Sequence, residues 1–224
     1  MANGIPQFDA MDDFLKPTFL GSIVFLTRTY LTYHLSFKKK FAHIGGTPRT
    51  WGIQNIDVFG PNIRIGKNCV FAAGRGDRTT ITTFRMNGHE GAIEIGDNVL
   101  LMSGIRLSSA SKIQVGDDCM LANRCYLTDA DWHDIYDRTQ PVGRTAPIIL
   151  EKGVWIGDSA IVCKGVRVGE NSIVGAGAVV RRDIPSNVIA VGNPAKVVKK
   201  LDPKKVVLMS DLYRRIDEWK RRGR

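Results

Sequence analysis

Aliphatic residues recur at intervals of six along much of this chain. The longest run is Ile156, Val162, Val168, Val174 and Val180. Gly157, Gly169 and Gly175 follow three of these leads, and Ala160, Val166, Ser172 and Ala178 stand four places after them. An amphipathic helix needs an apolar period of 3.6 and a half-buried strand a period of 2. A period of six fits neither alone. It fits a β-helical coil, in which each hexad makes one flat side and its lead residue stacks on the same position of the next turn. The spacing also relates Ile53, Phe59, Ile65 and Phe71, then Ile95, Leu101 and Leu107, then Val115, Leu121 and Leu127. Ile95 and Val115 are twenty residues apart, which predicts a turn of three hexads plus two extra residues at one corner. Cys69, Cys119 and Cys125 fall in the small interior slot, so they read as reduced, buried, small hydrophobes and not as disulfide or zinc cysteines.

The pattern predicts an all-β coil over 51–200, an N-terminal extension over 1–50 and a basic C-terminal segment over 201–224. The repeat is lost twice. Residues 74–91 alternate Thr with aromatic residues, which predicts a strand or short hairpin. Residues 129–147 are polar and predict a loop ejected at a corner, the kind of segment that carries function on a rigid scaffold. In the extension, residues 17–27 (PTFLGSIVFLT) are uncharged but shorter than the roughly 20 residues that span a bilayer. Phe19, Ile23, Leu26, Tyr30 and Leu31 share one helical face, which predicts an amphipathic helix closed by Lys38, Lys39 and Lys40. Near the other end, Asp202-Pro203 is a helix start, and Leu208, Leu212, Ile216 and Trp219 form one stripe. A helix capping the open end of the coil is expected there.

Charge sharpens this picture. The formal net charge is +10, and residues 196–224 hold eleven Lys/Arg against four Asp/Glu. The coil is therefore nearly neutral. The basic tail and the apolar N-terminal run suit three readings, a peripheral contact with an anionic membrane, packing on the coil and a contact between subunits. No aromatic-basic recognition motif accompanies the tail, so no nucleic-acid partner is expected. The first fifteen residues contain three Asp and no basic leader, which gives a cytoplasmic expectation, with the inner membrane face as its peripheral form.

Candidate chemistry gathers in the ejected loop, TDADWHDIYDRTQPVGRTAP. His133 is the side chain there that takes a proton most readily near neutrality. A carboxylate beside it can fix its tautomer, and Asp129 and Asp131 are the candidates. His34, His43 and His89 share no motif with it.

The hexads, this loop and the segments VWIGDSAIVCKGVRVGENSIVGAGAVVRRDIP and AVGNPAKVV resemble the hexapeptide-repeat acyltransferases. The nearest branch is that of sugar and polysaccharide O-acetyltransferases such as the galactoside and maltose enzymes. The resemblance covers roughly residues 51–200. It implies a left-handed parallel β-helix, a homotrimer with sites between subunits, and acetyl-CoA as acyl donor to a sugar or glycan hydroxyl, with no metal. His133 resembles the general base. Asn123 matches an acceptor-side Asn, and Arg138 joins it as a substrate-binding candidate. Trp155 matches a Trp near the thioester. Gly177 and Ala178 lie where backbone groups meet the pantetheine arm, and Arg181 and Arg182 replace a Thr-Lys pair that contacts CoA phosphate. Many relatives carry a second His near the first, and here that neighbourhood reads Ala130-Asp131-Trp132.

Three rivals remain. A non-sugar acceptor such as an antibiotic fits the same chemistry. A zinc enzyme on this coil needs three convergent His. A non-enzymatic scaffold has no need of the His loop.

Overall fold

A computed structural model describes residues 31–74 and 76–221. The chain winds as a left-handed parallel β-helix, a triangular prism with three sheets as its faces. Face A stacks His43–Ile44, Ile63–Ile65, Ala92–Ile95, Lys112–Val115, Ile148–Leu150 and Arg167–Val168. Face B stacks Arg49–Trp51, Val70–Ala72, Leu100–Leu101, Met120–Leu121, Trp155–Ile156, Ile173–Val174 and Val188–Val191. Face C stacks Ile56–Phe59, Thr79–Thr83, Arg106–Ser109, Tyr126–Thr128, Ile161–Cys163 and Val179–Val180. All these neighbours pair in parallel, each strand hydrogen-bonding to the turns above and below.

The six-residue period sets the register directly. Ile65, Ile95, Val115, Leu150 and Val168 form one interior column. Phe71, Leu101, Leu121, Ile156 and Val174 form the second. Ile81, Leu107, Leu127, Val162 and Val180 form the third. All are buried, and so are the small slots Cys69, Cys119, Cys125, Ala160, Ser172 and Ala178. Corners turn through left-handed backbone, with Asn68, Asn98, Asp118, Ser159 and Asn171 at φ of +56° to +60°. Short polar side chains tolerate that conformation best after glycine.

The first turns depart from the expected register. Val58, and not Phe59, enters the third column opposite Ile81, while Phe59 is exposed. One additional residue at the corner Gly60–Asn62 moves the lead by one place, and in a strand a one-residue slip changes face. Ladder pairing already begins at His43–Ile44, inside the stretch read as extension. The 74–91 break contains a coil strand, Thr79–Thr83, followed by the hairpin Arg85–Met86 and His89–Glu90. The two extra residues between Leu107 and Val115 are the corner Ala110–Ser111.

Both ends of the prism are covered. Tyr33 and Phe37, on a helical turn, and Phe41 after it are buried on the first turns, with Phe37 edge-on to Phe71 at 6.2 Å. The apolar run 17–27 and most of the expected N-terminal helix lie outside the described residues. At the other end Lys196–Lys200 pairs antiparallel with Val188–Val191 and closes face B. The C-terminal helix α1, Met209–Arg221, does not sit over that end; it runs along the corner between faces A and B. Ser210 N–H and Oγ donate to Asp118 at 2.7 and 2.9 Å, and Arg49 lies 5.4 Å from the Tyr213 ring. The buried Asp118 carboxylate meets the N-terminus of α1, where backbone donors and the helix dipole favour an anion. That contact draws the helix alongside the coil.

Candidate active site

Both interruptions of the repeat leave the prism at the corner between faces C and A. The 84–91 hairpin departs there on the second turn and the 129–147 loop on the fourth, with the tight corner Ala110–Ser111 between them. On the fifth and sixth turns the same corner carries Lys164 and then Arg181 and Arg182.

The loop is fastened at its root. Ala130 and Thr145 bridge antiparallel, Asp131 N–H donates to Arg144 O, and Gly143 N–H donates to Asp131 O. Asp129 is fully buried, and its carboxylate accepts Ser109 Oγ at 2.6 Å, Ala110 N–H at 2.7 Å and Ser111 N–H at 3.0 Å. Asp131 binds Lys164 Nζ at 2.5 Å. Trp132 donates its indole N–H to Thr128 Oγ1 at 3.0 Å and Tyr126 OH at 3.2 Å. Its ring packs on Phe84, with centroids 4.6 Å apart. Further out, Asp134 caps the backbone N–H groups of Asp137 and Tyr136, which hold its carboxyl below the usual range. The Thr139 hydroxyl does the same for Asp137.

His133 follows Trp132 directly and is exposed, with no side-chain hydrogen bond among the described residues. Neither Asp129 nor Asp131 pairs with it in the single chain; each carboxylate is engaged elsewhere. Arg138 is exposed on the outer part of the loop.

The other predicted residues lie on different parts of the prism. Asn123 occupies the B/C corner, where Oδ1 accepts Ser103 N–H at 3.2 Å and the amide N–H groups stay open. Gly177 and Ala178 share that corner two turns on. Gly177 has φ +66°, and open space lies where a Cβ would project. The Ala178 methyl is buried in the core, and its N–H donates to Gly175 O. Trp155 stands on face B between Met120 and Ile173, 44% exposed. The structure thus joins His133, Asp129, Asp131, Arg181 and Arg182 to one corner, Asn123, Gly177 and Ala178 to another, and leaves Trp155 on the outer surface of face B. His43, His89 and His133 do not converge, and no metal-holding group of three or more His, Cys, Asp or Glu occurs among the described residues. Phe84 and Lys164 escape sequence reading, because each reaches the loop only through the stacking of turns. Cys163 lies beside Lys164, its thiol pushed up by burial and partly offset by Arg181 and Lys164.

Residues 147–182 match the family described as bacterial transferase hexapeptide (six repeats). Over 128 residues the chain is 37% identical to a "probable acetyltransferase" of Mycobacterium tuberculosis, covering 55% of this chain and 41% of that one. It is 30% identical over 112 residues to the galactoside O-acetyltransferase of Escherichia coli K12, covering 49% and 55%. It is 35% identical over 109 residues to the polysialic acid O-acetyltransferase of Escherichia coli O1:K1, covering 47% and 36%. The chain spans about half the length of these curated relatives, or less. Among solved structures, a mutant of AntD, an N-acyltransferase from Bacillus cereus in complex with dTDP and coenzyme A, shares the fold. The TM-score is 0.53 at 20% identity, over 83% of this chain and 96% of that one.

Proposed function

We propose that this protein is an acetyl-CoA-dependent O-acetyltransferase that acetylates a hydroxyl of a sugar or glycan, with His133 as general base at a site shared between subunits of a homotrimer. The observation that carries the reading is His133 itself: an exposed, unengaged imidazole on a loop whose root is locked to the coil. The names of the galactoside and polysialic acid relatives support the acceptor class.

His133 would accept the proton of the acceptor hydroxyl as that oxygen attacks, which general-base catalysis makes worth roughly 10²–10⁴-fold. Acetyl-CoA, when bound, supplies the acyl group as a thioester. The residues present suit such a donor. Arg181 and Arg182 are exposed cations that can fork onto phosphate. Gly177 leaves an open backbone approach, and Trp155 offers an apolar face flanked by Met120 and Ile173. Asn123 has a free amide to donate to an acceptor oxygen. Asp129, already holding three donors, supports the loop root and does not contact the imidazole. The division of these groups between two corners and one face supports a site assembled from more than one copy.

The test is an acceptor screen with acetyl-CoA, read as release of free thiol, run on wild type and His133→Ala. Hydroxyl-bearing sugars or glycans should be acetylated by the wild type alone. One relative, the 2,3,4,5-tetrahydropyridine-2,6-dicarboxylate N-acetyltransferase of Alkaliphilus metalliredigens, is 47% identical over 75 residues, so amines belong in the screen. Acylation confined to amines would overturn the hydroxyl assignment.

A further inference from the structure

Phe84 and Trp132 belong to the two separate insertions and meet across the turn between them. Phe84 ends the face C strand of the second turn and opens the hairpin. Its N–H donates to Ser109 O at 2.8 Å and its carbonyl accepts Gly91 N–H at 2.9 Å. A Cβ at Gly91 would lie 2.1 Å from Ser109 O, so the hairpin neck closes only around a glycine. The backbone carrying Phe84 is therefore fixed to the coil at both sides of the hairpin. Above it, Trp132 packs with Ala110, Ala130 and Val142 in a small apolar cluster separate from the main core. Its ring tilts 55° to that of Phe84. The Thr128 hydroxyl, which accepts the indole N–H, donates onward to Ala130 O at 3.3 Å. Tyr126, the second acceptor, has the Arg106 guanidinium over its ring, 4.1 Å from the centroid. The plane of Trp132 is set by two acceptors and by a ring from a different insertion.

Filling a gap under a loop does not call for this arrangement. An apolar plug needs neither two acceptors on its N–H nor a partner from a hairpin two turns away. The residue that follows Trp132 is the one histidine of the loop.

We propose that Phe84 and Trp132 form a brace through which the 84–91 hairpin positions His133. Both are positioning residues. The proposal rests on His133 being the general base. Its physical basis is the sensitivity of proton transfer to alignment: displacement of a catalytic group by about 1 Å can cost up to 10²-fold in rate.

Three variants test it. Phe84→Ala removes the prop, Phe84→Tyr retains the ring, and Trp132→Phe retains a ring while deleting the indole donor. Phe84→Ala and Trp132→Phe should each lower kcat by about tenfold, with KM for acetyl-CoA within about twofold of wild type, and Phe84→Tyr should restore kcat. Tryptic cleavage after Arg138 and Arg144 reads loop order without reference to activity. It should accelerate several-fold in Phe84→Ala at an unchanged urea midpoint. Wild-type kcat together with wild-type cleavage in Phe84→Ala would overturn the brace. A fall in kcat that only tracks a fall in the urea midpoint overturns it as well, because the rings would then be part of global stability. His133→Ala is run alongside. If it keeps full turnover while Phe84→Ala still loosens the loop, the ring contact stands as structure and it is the general-base reading that fails.

Discussion

Ser109 donates its hydroxyl to Asp129 Oδ2 at 2.6 Å, from one turn of the coil to the next. Ala110 and Ser111 add their backbone N–H groups to the same carboxylate. One buried side chain therefore closes the Ala110–Ser111 corner and anchors the loop that carries His133. Removing an acceptor from buried donors leaves them unsatisfied, which typically costs about 1–3 kcal/mol. Asp129→Ala should lower the unfolding free energy by about 1–3 kcal/mol, read as a lower urea midpoint with the m-value unchanged. Its turnover under native conditions should fall less than that of His133→Ala. An unaltered midpoint with abolished turnover would return Asp129 to a direct catalytic role.

His133→Ala should lower turnover on the true acceptor by about 10²–10⁴-fold, as loss of a general base does. Acetyl-CoA affinity should change little, because a general base acts on the acceptor hydroxyl and not on the donor's phosphates. Steady-state kinetics with a matched binding titration checks both statements. Full turnover in this variant removes His133 from the chemistry.

Arg182→Ala, and Arg181→Ala as the weaker case, should raise KM for acetyl-CoA more than they lower kcat. A phosphate contact remote from the thioester is made equally in ground and transition states, so its loss appears as lost uniform binding. A charge-assisted contact of this kind is worth about 1.5–3 kcal/mol, less where water reaches it, as it does at these exposed side chains. Added salt should weaken the wild type more than the variants. A fall in kcat at constant KM would assign these arginines elsewhere.

Light scattering should give three times the 24.8 kDa chain mass at assay concentration. The reasoning is that Trp155, Asn123 and His133 do not face one another in one copy, and flat prism faces pack laterally in closed symmetry. A fully active monomer would disprove both the trimer and the shared site.

Alkaline pH should loosen the coil through its interior thiols. Burial pushes Cys119 and Cys125 up to about 12 and Cys69 up to about 11, from an ordinary 9.0. The folded state holds these protons more tightly than the unfolded chain. Their contribution is complete below about pH 9 and is lost as pH rises towards 11 to 12. Urea midpoints measured across that window should fall more steeply for wild type than for the Cys119→Ala/Cys125→Ala double variant. Parallel slopes would refute the thiol contribution.

Sequence alone determined the coil, because a repeat of six aliphatic leads and small slots has one way to stack and each turn contacts only its neighbours. It also located the ejected loop and His133, since the loss of a strict period is as visible as the period. Phe59 was misplaced because one extra corner residue moves a side chain from inside to outside, and a corner insertion leaves no mark in composition. The place of α1 was not legible either. Its apolar stripe announces a helix that needs a surface, but the choice between the coil's end and its flank is made by Asp118, some ninety residues earlier in the chain. Only the tertiary structure decided the environment of the loop. Lys164 reaches Asp131, Ser109 reaches Asp129 and Phe84 reaches Trp132 because parallel turns about 4.8 Å apart bring residues distant in sequence into register at one corner.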